Sequence, residues 1–276
     1  MKTFKCLSLA LLFFYCAQLH GQTSVMSFNI RFNNPNDNEN CWEYRKEEIV
    51  TMLEFYHPDI LGIQEGLYDQ VSFLDQMLQN YSYIGVGRDD GKKQGEFAAI
   101  FFHNTKFELL ETKTYWLSET PDTISVGWDA SMKRIVTYGV LRDFQSMDTL
   151  YVFNCHYDHI GEIARKNSSE LILNLIEKKE LRDKKIIVMG DFNSEPDSYP
   201  IKTLQSKLND SYQASEIPAY GPQGTFNDFD TSMVPQRRID YIFVKNITVE
   251  SYLHLDDRRI NNLYLSDHLP VMIRVK

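Results

Sequence analysis

Short runs of apolar and β-branched residues recur along most of the chain, and several of them alternate with polar residues. A period of two is typical of strands, whose successive side chains point to opposite faces of a sheet. Turn signals such as Asp90-Gly91 and Pro121-Asp122 separate the runs. The pattern predicts strands at residues 24–32, 60–65, 83–87, 97–103, 107–116, 135–143, 149–155, 185–189, 238–244, 249–255 and 270–275.

Three segments instead repeat their apolar residues with the spacing of an α-helix. In the first of them Ile49, Met52 and Leu53 can share one face, and His57-Pro58 ends the segment. Helices flanking many strands indicate an α/β fold, in which two sheets pack face to face under an outer cover of helices. No linker or repeat interrupts the chain, so residues 22–276 are expected to form a single domain. The predicted helices are residues 42–56, 68–79 and 160–179.

The first 21 residues differ from the rest of the chain. Lys2 and Lys5 precede an apolar stretch, Leu7 to Ala17, that is too short to cross a bilayer. A basic start, a short apolar core and a small residue such as Gly21 are typical of a secretory signal peptide, which predicts a periplasmic or secreted protein with no transmembrane segment after cleavage. A retained anchor helix and a lipid-modified Cys16 are the alternatives.

Net charge and cysteine content narrow the function classes. Removal of residues 1–21 would change the net charge from −9 to −11, which disfavours non-specific nucleic-acid binding but does not exclude a nuclease with a local basic groove. Cys155 lies within a predicted strand and is expected to be a free core cysteine, with a disulfide to Cys41 as the alternative in an oxidising compartment. The absence of a C-x-x-C motif gives no indication of a structural zinc site.

Polar residues stand at the ends of predicted strands, most clearly in Gly190-Asp191-Phe192-Asn193 after the apolar run 185–189. These residue types also favour turns, so this stretch predicts either a turn alone or a turn that carries a site. Glu65 ends the run 60–65, where a carboxylate can bind Mg²⁺ or Mn²⁺. Asn29 lies within the first strand and needs a hydrogen-bond partner, whether in a loop or in a site.

Two histidines stand beside carboxylates near other strand ends. His156 and Asp158 would share a face if their strand continued, and a carboxylate would then orient the imidazole and make it more basic. A polar surface loop is the alternative. Asp240 lies within an apolar strand, and pairing with His268 would fix the imidazole tautomer and raise its pKa. So many polar residues at strand ends, far apart in sequence, indicate one shared edge.

Six short motifs together resemble those of the endonuclease/exonuclease/phosphatase superfamily, which includes deoxyribonucleases, sphingomyelinases, inositol-polyphosphate phosphatases and deadenylases. The resemblance covers nearly all of residues 22–276 and implies the family's α/β four-layered α/β/β/α sandwich, which is deoxyribonuclease I-like. The motifs are Ser27-Phe28-Asn29-Ile30-Arg31, Ile63-Gln64-Glu65, Asn154-Cys155-His156-Tyr157-Asp158, Gly190-Asp191-Phe192-Asn193, Arg238-Ile239-Asp240-Tyr241-Ile242 and Ser266-Asp267-His268-Leu269-Pro270.

The resemblance also implies roles for individual residues. Glu65 would hold Mg²⁺, or alternatively Mn²⁺, with help from Asn29 and Asp267. His268 and Asp240 match the family's His–Asp pair, in which the histidine acts as general base or stabilises phosphoryl oxygens. Asp191 is the alternative base, and the remaining catalytic positions, which hold water or phosphate, match Asn193 and His156.

Residues near the predicted edge are candidates for substrate contact. A polar, glycine-rich loop at residues 87–96 and the segment Gly127-Trp128-Asp129-Ala130 could form a rim, although a plain hairpin connection and simple packing of Trp128 are the alternatives. The candidate substrate-binding residues are Arg31, Arg88, Lys92, Lys93, Arg134, Asp158 and Trp128.

The sequence thus predicts an exported, metal-dependent hydrolase of phosphate esters that uses in-line attack of an activated water. The acidic charge and the lack of a basic insertion favour a small or lipid-like phosphoester substrate. A secreted nuclease acting on DNA or RNA is the first alternative. A non-catalytic binding protein that retains the fold is the second.

Overall fold

The computed structural model of the protein describes residues 22–276, so the predicted signal peptide lies outside the described residues. The strands are β1 (Thr23–Asn29), β2 (Ile60–Gly66), β3 (Tyr81–Ile84), β4 (Phe97–His103), β5 (Phe107–Trp116), β6 (Ile135–Asp143), β7 (Thr149–His156), β8 (Lys185–Asp191), β9 (Asn209–Asp210), β10 (Asp240–Lys245), β11 (Val249–His254) and β12 (Val271–Val275). The α-helices are α1 (Trp42–Tyr56), α2 (Tyr68–Met77), α3 (Glu162–Lys178), α4 (Tyr199–Gln205) and α5 (Ser211–Ala214), and a short 3-10 helix covers Asn38–Asn40.

Within residues 22–276, twelve strands form two mixed sheets of six strands each. The first sheet has the order β11-β12-β1-β2-β4-β3, and the second has the order β5-β6-β7-β8-β10-β9. The central pairs β1–β2 and β7–β8 are parallel, whereas β12, β4, β6 and β10 run antiparallel to them. This arrangement directs the carboxyl ends of the central strands and the amino ends of their antiparallel neighbours to one edge of the sandwich.

Apolar side chains form three buried layers. Residues such as Val25, Ile100 and Ile187 pack between the two sheets. The outer face of the first sheet packs against α1 and α2, and that of the second packs against α3 and α4. In β1, Val25 faces the other sheet while Met26 faces the helices, because successive strand side chains point in opposite directions. The predicted four-layered α/β/β/α sandwich is therefore confirmed.

A hydrogen-bonded polar contact joins the two sheets within this apolar interior. The Nε2 atom of Gln64 on β2 donates to Oδ1 of Asn154 on β7 at 2.7 Å, and both residues are fully buried. Nδ2 of Asn154 donates to the carbonyls of Ile63 and Ala99, each at 2.8 Å. Gly62 leaves room for this contact, since a Cβ there would lie 2.9 Å from Oδ1 of Asn154. Three directional bonds fix the lateral position of one sheet on the other.

The structure differs from the predicted elements in several places. β1 ends at Asn29 instead of residue 32, because the chain turns at Arg31, which has a φ of +57°. β3 covers residues 81–84 and not 83–87. Helices α4 and α5 and strand β9 lie in the segment after β8 that the hydrophobic pattern left unassigned, since each is too short to show a clear period.

The cysteines agree with the expected free thiol. Cys155 is buried in β7 and Cys41 is half-buried before α1, and neither forms a disulfide within the described part of the chain. The alternative Cys41–Cys155 disulfide is therefore wrong. Among residues 22–276, no helix is long and apolar enough to cross a membrane.

Asn154→Ala should lower the free energy of unfolding by roughly 2–4 kcal/mol, because it leaves two buried carbonyls and the Gln64 amide without their partner. Urea denaturation followed by circular dichroism measures the change. Asn36→Ala, at an exposed position, is the matched control and should stay within about 0.5 kcal/mol of the wild type. Equal stability of the two variants would contradict the inter-sheet role of Asn154.

Candidate active site

The candidate site lies at the sandwich edge where the central strands end. Asn29 and Glu65 stand at the carboxyl ends of β1 and β2, and His156 pairs with Asp191 at the ends of β7 and β8. Asp240 begins the antiparallel β10 directly opposite Asp191, and His268 precedes the antiparallel β12. Sheet register therefore places six predicted site residues at one edge. These are Asn29, Glu65, His156, Asp191, Asp240 and His268.

Asn29 connects the two halves of this edge. Its Nδ2 donates to Oε1 of Glu65 on the first sheet and to Oδ2 of Asp191 on the second, both at 3.0 Å. Its Oδ1 accepts from the backbone amide of Arg31 at 3.0 Å, which holds the turn after β1. The side chain is fully buried. The Asn29 carboxamide thus accepts a hydrogen bond from a loop and also lies between two carboxylates. Asn29 therefore has hydrogen-bond partners both in a loop and among the candidate site residues.

The backbone at the site adopts uncommon conformations. Glu65 and Asn193 have φ values of +64° and +46°, a region that L-residues occupy only when their surroundings hold them there. Gly190 has a φ of +146°, and a Cβ at this position would lie 2.0 Å from the carbonyl oxygen of Cys155. Only glycine fits there, and this residue lets β8 turn Asp191 into the edge.

Asp191 is buried, with several donors around its carboxylate. Its Oδ1 accepts from the backbone amide of Asn193 at 2.8 Å, and its Oδ2 lies 3.6 Å from Nε2 of His156 and 3.8 Å from Nε2 of His268. Burial, followed by repulsion from Asp240, raises the pKa of Asp191 above its usual value. A raised pKa makes this carboxylate a stronger base than an exposed aspartate.

The predicted His268–Asp240 pair is present. Nδ1 of His268 lies 2.8 Å from Oδ2 of Asp240, which places a proton on Nδ1 and directs Nε2 toward Asp191. Burial would lower the pKa of His268, but the carboxylates of Asp240 and Asp191 outweigh it and raise the pKa well above its ordinary value. Oδ1 of Asp240 has no hydrogen-bond partner among residues 22–276. The two carboxylates therefore favour the protonated form of His268.

His156 differs from its expected environment. Asp158 was expected to support its imidazole, but Nη1 of Arg134 lies 3.1 and 3.0 Å from the two ring nitrogens instead. Burial, with repulsion from the Arg134 guanidinium, lowers the pKa of His156 to about 3. The prediction of a more basic imidazole is wrong. β7 ends at His156, so the alternation that would bring Asp158 to the same face does not continue.

Asp158 lies behind Arg134 and does not line the cleft. Its Oδ1 accepts from the backbone amides of Ile160 and Gly161, at 2.9 and 2.7 Å, and its Oδ2 accepts from the Ser131 hydroxyl at 2.8 Å. Burial opposes ionisation, but these hydrogen bonds lower the pKa of Asp158 below its ordinary value. Its Oδ2 also lies 3.4 Å from Nε of Arg134. Asp158 thus positions Arg134, and this geometry does not provide the expected substrate contact.

The remaining predicted arginines are tied to carboxylates. Arg31 bonds Asp37 through Nε at 2.9 Å, and its Nη1 lies 3.5 Å from Oδ2 of Asp267. Arg88 forms a two-bond pair with Glu96, at 2.7 and 2.8 Å. Burial raises the pKa of Asp267 to about 6, with a further contribution from the charge of Glu65. The charges of Glu65 and Asp267 therefore act on each other, in keeping with their predicted joint role at a cation.

A buried arginine that the sequence did not reveal holds the loops around these acids. Nη1 of Arg45 on α1 donates to the carbonyls of Ile30 and Leu265, at 2.9 and 2.7 Å. Burial lowers its pKa to about 10, so the guanidinium is still charged at neutral pH. It joins the turn after β1 to the turn before β12, and so places Asn29 beside Asp267.

A cleft of about 460 Å³ opens at this edge of the sandwich. Glu96 was not predicted as a site residue. It immediately precedes the antiparallel β4, so a search for polar residues at strand starts as well as at strand ends would have found it. Trp128 is half-buried and is not among the lining residues, and Arg88 lines a narrow neighbouring pocket with Glu96 and His156. The lining residues are Arg31, Phe32, Glu65, Glu96, Met132, Arg134, His156, His159, Asp191, Asn193, Phe226, Asp228, Arg237, Ile239, Asp267 and His268.

The donor set of this cleft fits a hard divalent cation. Ligand atoms of Glu65, His156 and Asp191 lie within 4.8 Å of one another, and so do those of Asp191, Asp240 and His268. Burial raises the pKa values of Asp191 and Asp267, and repulsion from Asp240 and from Glu65, respectively, adds to these shifts. A cation would relieve that repulsion, and carboxylate oxygens are the ligands that Mg²⁺ and Mn²⁺ prefer.

Comparison with known families agrees with this geometry. A model of the Endonuclease/Exonuclease/phosphatase family matches residues 26–268, a range that includes all the lining residues of the cleft. The chain belongs to the endonuclease/exonuclease/phosphatase family. The resemblance indicated by the six sequence motifs is therefore confirmed.

The proteins that are similar to this family member include two solved structures and one curated sequence. An endonuclease/exonuclease/phosphatase family protein from Bacteroides thetaiotaomicron is 37% identical, with a TM-score of 0.88 over 92% of this chain and 97% of that one. The mannosyl-6-phosphatase of the same species is 36% identical, with a TM-score of 0.88 over 92% and 99%. An uncharacterized protein of Acanthamoeba polyphaga mimivirus is 28% identical over 251 residues, or 84% of this chain and 91% of the relative.

Asp240→Asn should lower the pKa of His268, because it removes the nearest charge that holds the imidazole proton. NMR titration of the His268 Cε1–H signal measures the change, with Asp183→Asn at an exposed position as control. An unchanged midpoint in Asp240→Asn would contradict the assignment.

The same pair should make stability depend on pH. Below the unfolded-state pKa of 6.5, both folded and unfolded chains carry the His268 proton and the stabilising pair is fully present. As the pH rises through the raised folded-state pKa, this contribution is lost. Urea denaturation should therefore show a fall in stability above pH 6.5 that is smaller in Asp240→Asn. Parallel curves for the two proteins would refute the linkage.

Proposed function

We propose that this protein hydrolyses phosphate esters of small molecules in a divalent-metal-dependent reaction, by in-line attack of a water. The observation that carries the proposal is the cluster at the sandwich edge, where a protonated His268 and the raised-pKa Asp191 face one cleft beside Glu65. Membership of the endonuclease/exonuclease/phosphatase family supports the reaction class.

The residues of the cleft divide the chemistry between them. A phosphate ester resists attack because its oxygens are negative, and a bound Mg²⁺ or Mn²⁺ would offset that charge. Asp191, whose pKa is raised by burial, accepts the proton of the attacking water. His268 keeps its proton and donates a hydrogen bond to a phosphoryl oxygen. The raised pKa of His268 favours this assignment over the alternative in which His268 is the base.

Other cleft residues orient the phosphoryl group. Asn193 is half-buried at the turn after β8, and its Nδ2 already donates to the carbonyl of Tyr157 at 3.0 Å, which fixes the amide. Arg134 is buried beside the neutral His156 and supplies positive charge at the cleft wall. Glu65 and Asp267, with Asn29 between Glu65 and Asp191, would hold the cation. Fixed donors aimed at developing charge supply most of the barrier reduction in such sites.

A small substrate is favoured over a polymer by charge and by similarity. Arg31, Arg88 and Arg237 are each paired with a carboxylate, so they do not form an uncompensated basic groove. The mannosyl-6-phosphatase that resembles this chain at 36% identity supports a phosphorylated sugar as substrate. A nuclease is the alternative, and it would need several free phosphate contacts.

Glu65→Gln should reduce metal-dependent turnover by about two orders of magnitude or more, with little loss of stability, because it removes one negative charge from the cation ligands. Release of phosphate from sugar phosphates, nucleotides, inositol phosphates and phospholipids in Mg²⁺ or Mn²⁺ measures the effect, and a chelator should abolish turnover. Glu54→Gln, at an exposed position on α1, is the matched control. Full activity of Glu65→Gln would refute the metal assignment. No turnover of any ester by the wild type would favour a binding protein.

Salt separates the two enzyme proposals. Turnover of a sugar phosphate should change little between 50 and 200 mM salt, whereas activity on DNA would fall by about 10³-fold or more if six or more phosphates were contacted. The measurement is kcat/KM for a hexose 6-phosphate and for a duplex oligonucleotide across that range. A steep loss on DNA together with negligible sugar phosphate hydrolysis would identify a nuclease.

Export through the segment 1–21 is part of the same proposal. Its basic start and short apolar core support cleavage after this segment. Amino-terminal sequencing of the protein recovered from outside the cytoplasm tests it. Recovery of the uncleaved chain from the cytoplasm would refute export.

A further inference from the structure

A second cleft, of about 650 Å³, opens beside the candidate active site. Asn193 and Arg237 line both clefts, so the two spaces meet at the turn that follows β8. Its volume lies within the range of small-molecule sites, which is about 300–1,000 Å³. The lining residues are Glu162, Ile163, Arg165, Lys166, Asn193, Ser194, Glu195, Ser198, Tyr199, Pro200 and Arg237.

The first turns of α3 and the start of α4 form opposite walls of this cleft. Tyr199 and Ile163 line the cleft and are 55% and 56% exposed, so both side chains present apolar surface to it. The Tyr199 hydroxyl donates to Oε1 of Glu170 at 3.3 Å, and Nζ of Lys166 lies 4.7 Å from the ring centroid. These contacts hold the ring as a pre-formed flat surface.

Both arginines of the cleft already have hydrogen-bond partners, and the Lys166 ammonium lies over the Tyr199 ring. Nε of Arg237 donates to Oε1 of Glu195 at 3.1 Å, and Nη1 of Arg165 donates to the carbonyl of Asp158 at 3.1 Å. A chain of phosphates would require cations free of such partners. What the cleft offers is a mixture of hydrogen-bond donors and acceptors around an apolar ring.

A sugar ring matches this combination. Its hydroxyls both donate and accept hydrogen bonds, while its C–H face is apolar and packs on an aromatic ring. Ser194 also lines the cleft, and its buried hydroxyl has no hydrogen-bond partner among residues 22–276, which is uncommon for a buried polar group.

We propose that the cleft between α3 and α4 is a carbohydrate subsite, which binds the sugar portion of the substrate while its phosphate occupies the neighbouring active-site cleft. The subsite rests on the proposed phosphoesterase function. Tyr199 provides the stacking surface, and Glu162, Glu195 and Arg237 bind the hydroxyls. Specificity for the alcohol part of the ester therefore resides outside the catalytic cluster.

Kinetics with two monoesters tests the subsite. Tyr199→Ala should raise KM for mannose 6-phosphate by about fivefold to tenfold, because a C–H face loses its apolar contact, and should leave kcat and the hydrolysis of methyl phosphate nearly unchanged. Tyr199→Phe retains the ring and should behave as the wild type. Tyr220→Ala, at a position that is 76% exposed and outside both clefts, is the matched control. Should Tyr199→Ala unfold, Tyr199→Leu repeats the comparison and should show a smaller loss in the same direction, because it removes the flat ring but retains apolar surface.

Equal losses on methyl phosphate and mannose 6-phosphate would overturn the subsite while leaving the phosphoesterase proposal intact. A loss confined to single-stranded oligonucleotides would overturn it as well, since Tyr199 would then stack on a base.

A second measurement does not depend on turnover. In saturation-transfer NMR with Mg²⁺, mannose 6-sulfate should receive saturation at its ring protons from the wild type and markedly less from Tyr199→Ala. If the wild type hydrolyses no phosphoester but the NMR difference is present, the phosphoesterase proposal fails and the sugar subsite stands. Equal saturation by both proteins would overturn the subsite.

Discussion

The carboxamide of Asn29 is the contact on which the rest of the site depends. It joins the first sheet to the second at the functional edge, since one nitrogen donates both to Glu65 and to Asp191. Two carboxylates from different sheets would otherwise repel each other across a buried gap. The interior Gln64–Asn154 contact aligns the same two sheets one layer deeper, so the spacing of the acids is set by the sandwich itself.

The concentration of buried carboxylates at this edge opposes folding and favours the proposed metal-dependent reaction. Asp191 and Asp267 have pKa values raised by burial, and Oδ1 of Asp240 is buried without a partner among the described residues. Arg134 and the imidazolium of His268 compensate part of this charge, and a divalent cation would compensate more. Such a site stores unfavourable electrostatics that a bound positive ion can relieve.

The sequence predicted this edge because the end of a buried strand can be recognised in the sequence as the point where an apolar run stops. Apolar runs that stop at Glu65 or Asp191 reveal where a buried strand meets solvent, and sheet register then brings them together. Glu96 and Arg45 were not predicted from the sequence. Glu96 precedes the start of a strand, and Arg45 lies on a helix and has no local sequence pattern of its own. His156 was found, but its partner was wrong, because alternation along a sequence applies only while the strand continues. Side-chain environments formed by three or more segments, such as that of His156, are not encoded in any one of them.

The turn from Gly190 to Asn193 lies between the candidate active site and the second cleft, since Asn193 lines both. Phe192 between its two polar residues is fully buried and packs edge-on against Tyr157 and Tyr241. The backbone amide of Asn193 is bonded to Asp191, and the backbone amide of Phe192 donates to the carbonyl of Ile239 at 2.9 Å. Because the turn is anchored on both sides, Asp191 and the second cleft keep a constant separation. Under the proposed function, binding energy gained from the alcohol part of the substrate in that cleft would position the phosphoryl group and would not be spent on ordering a loop.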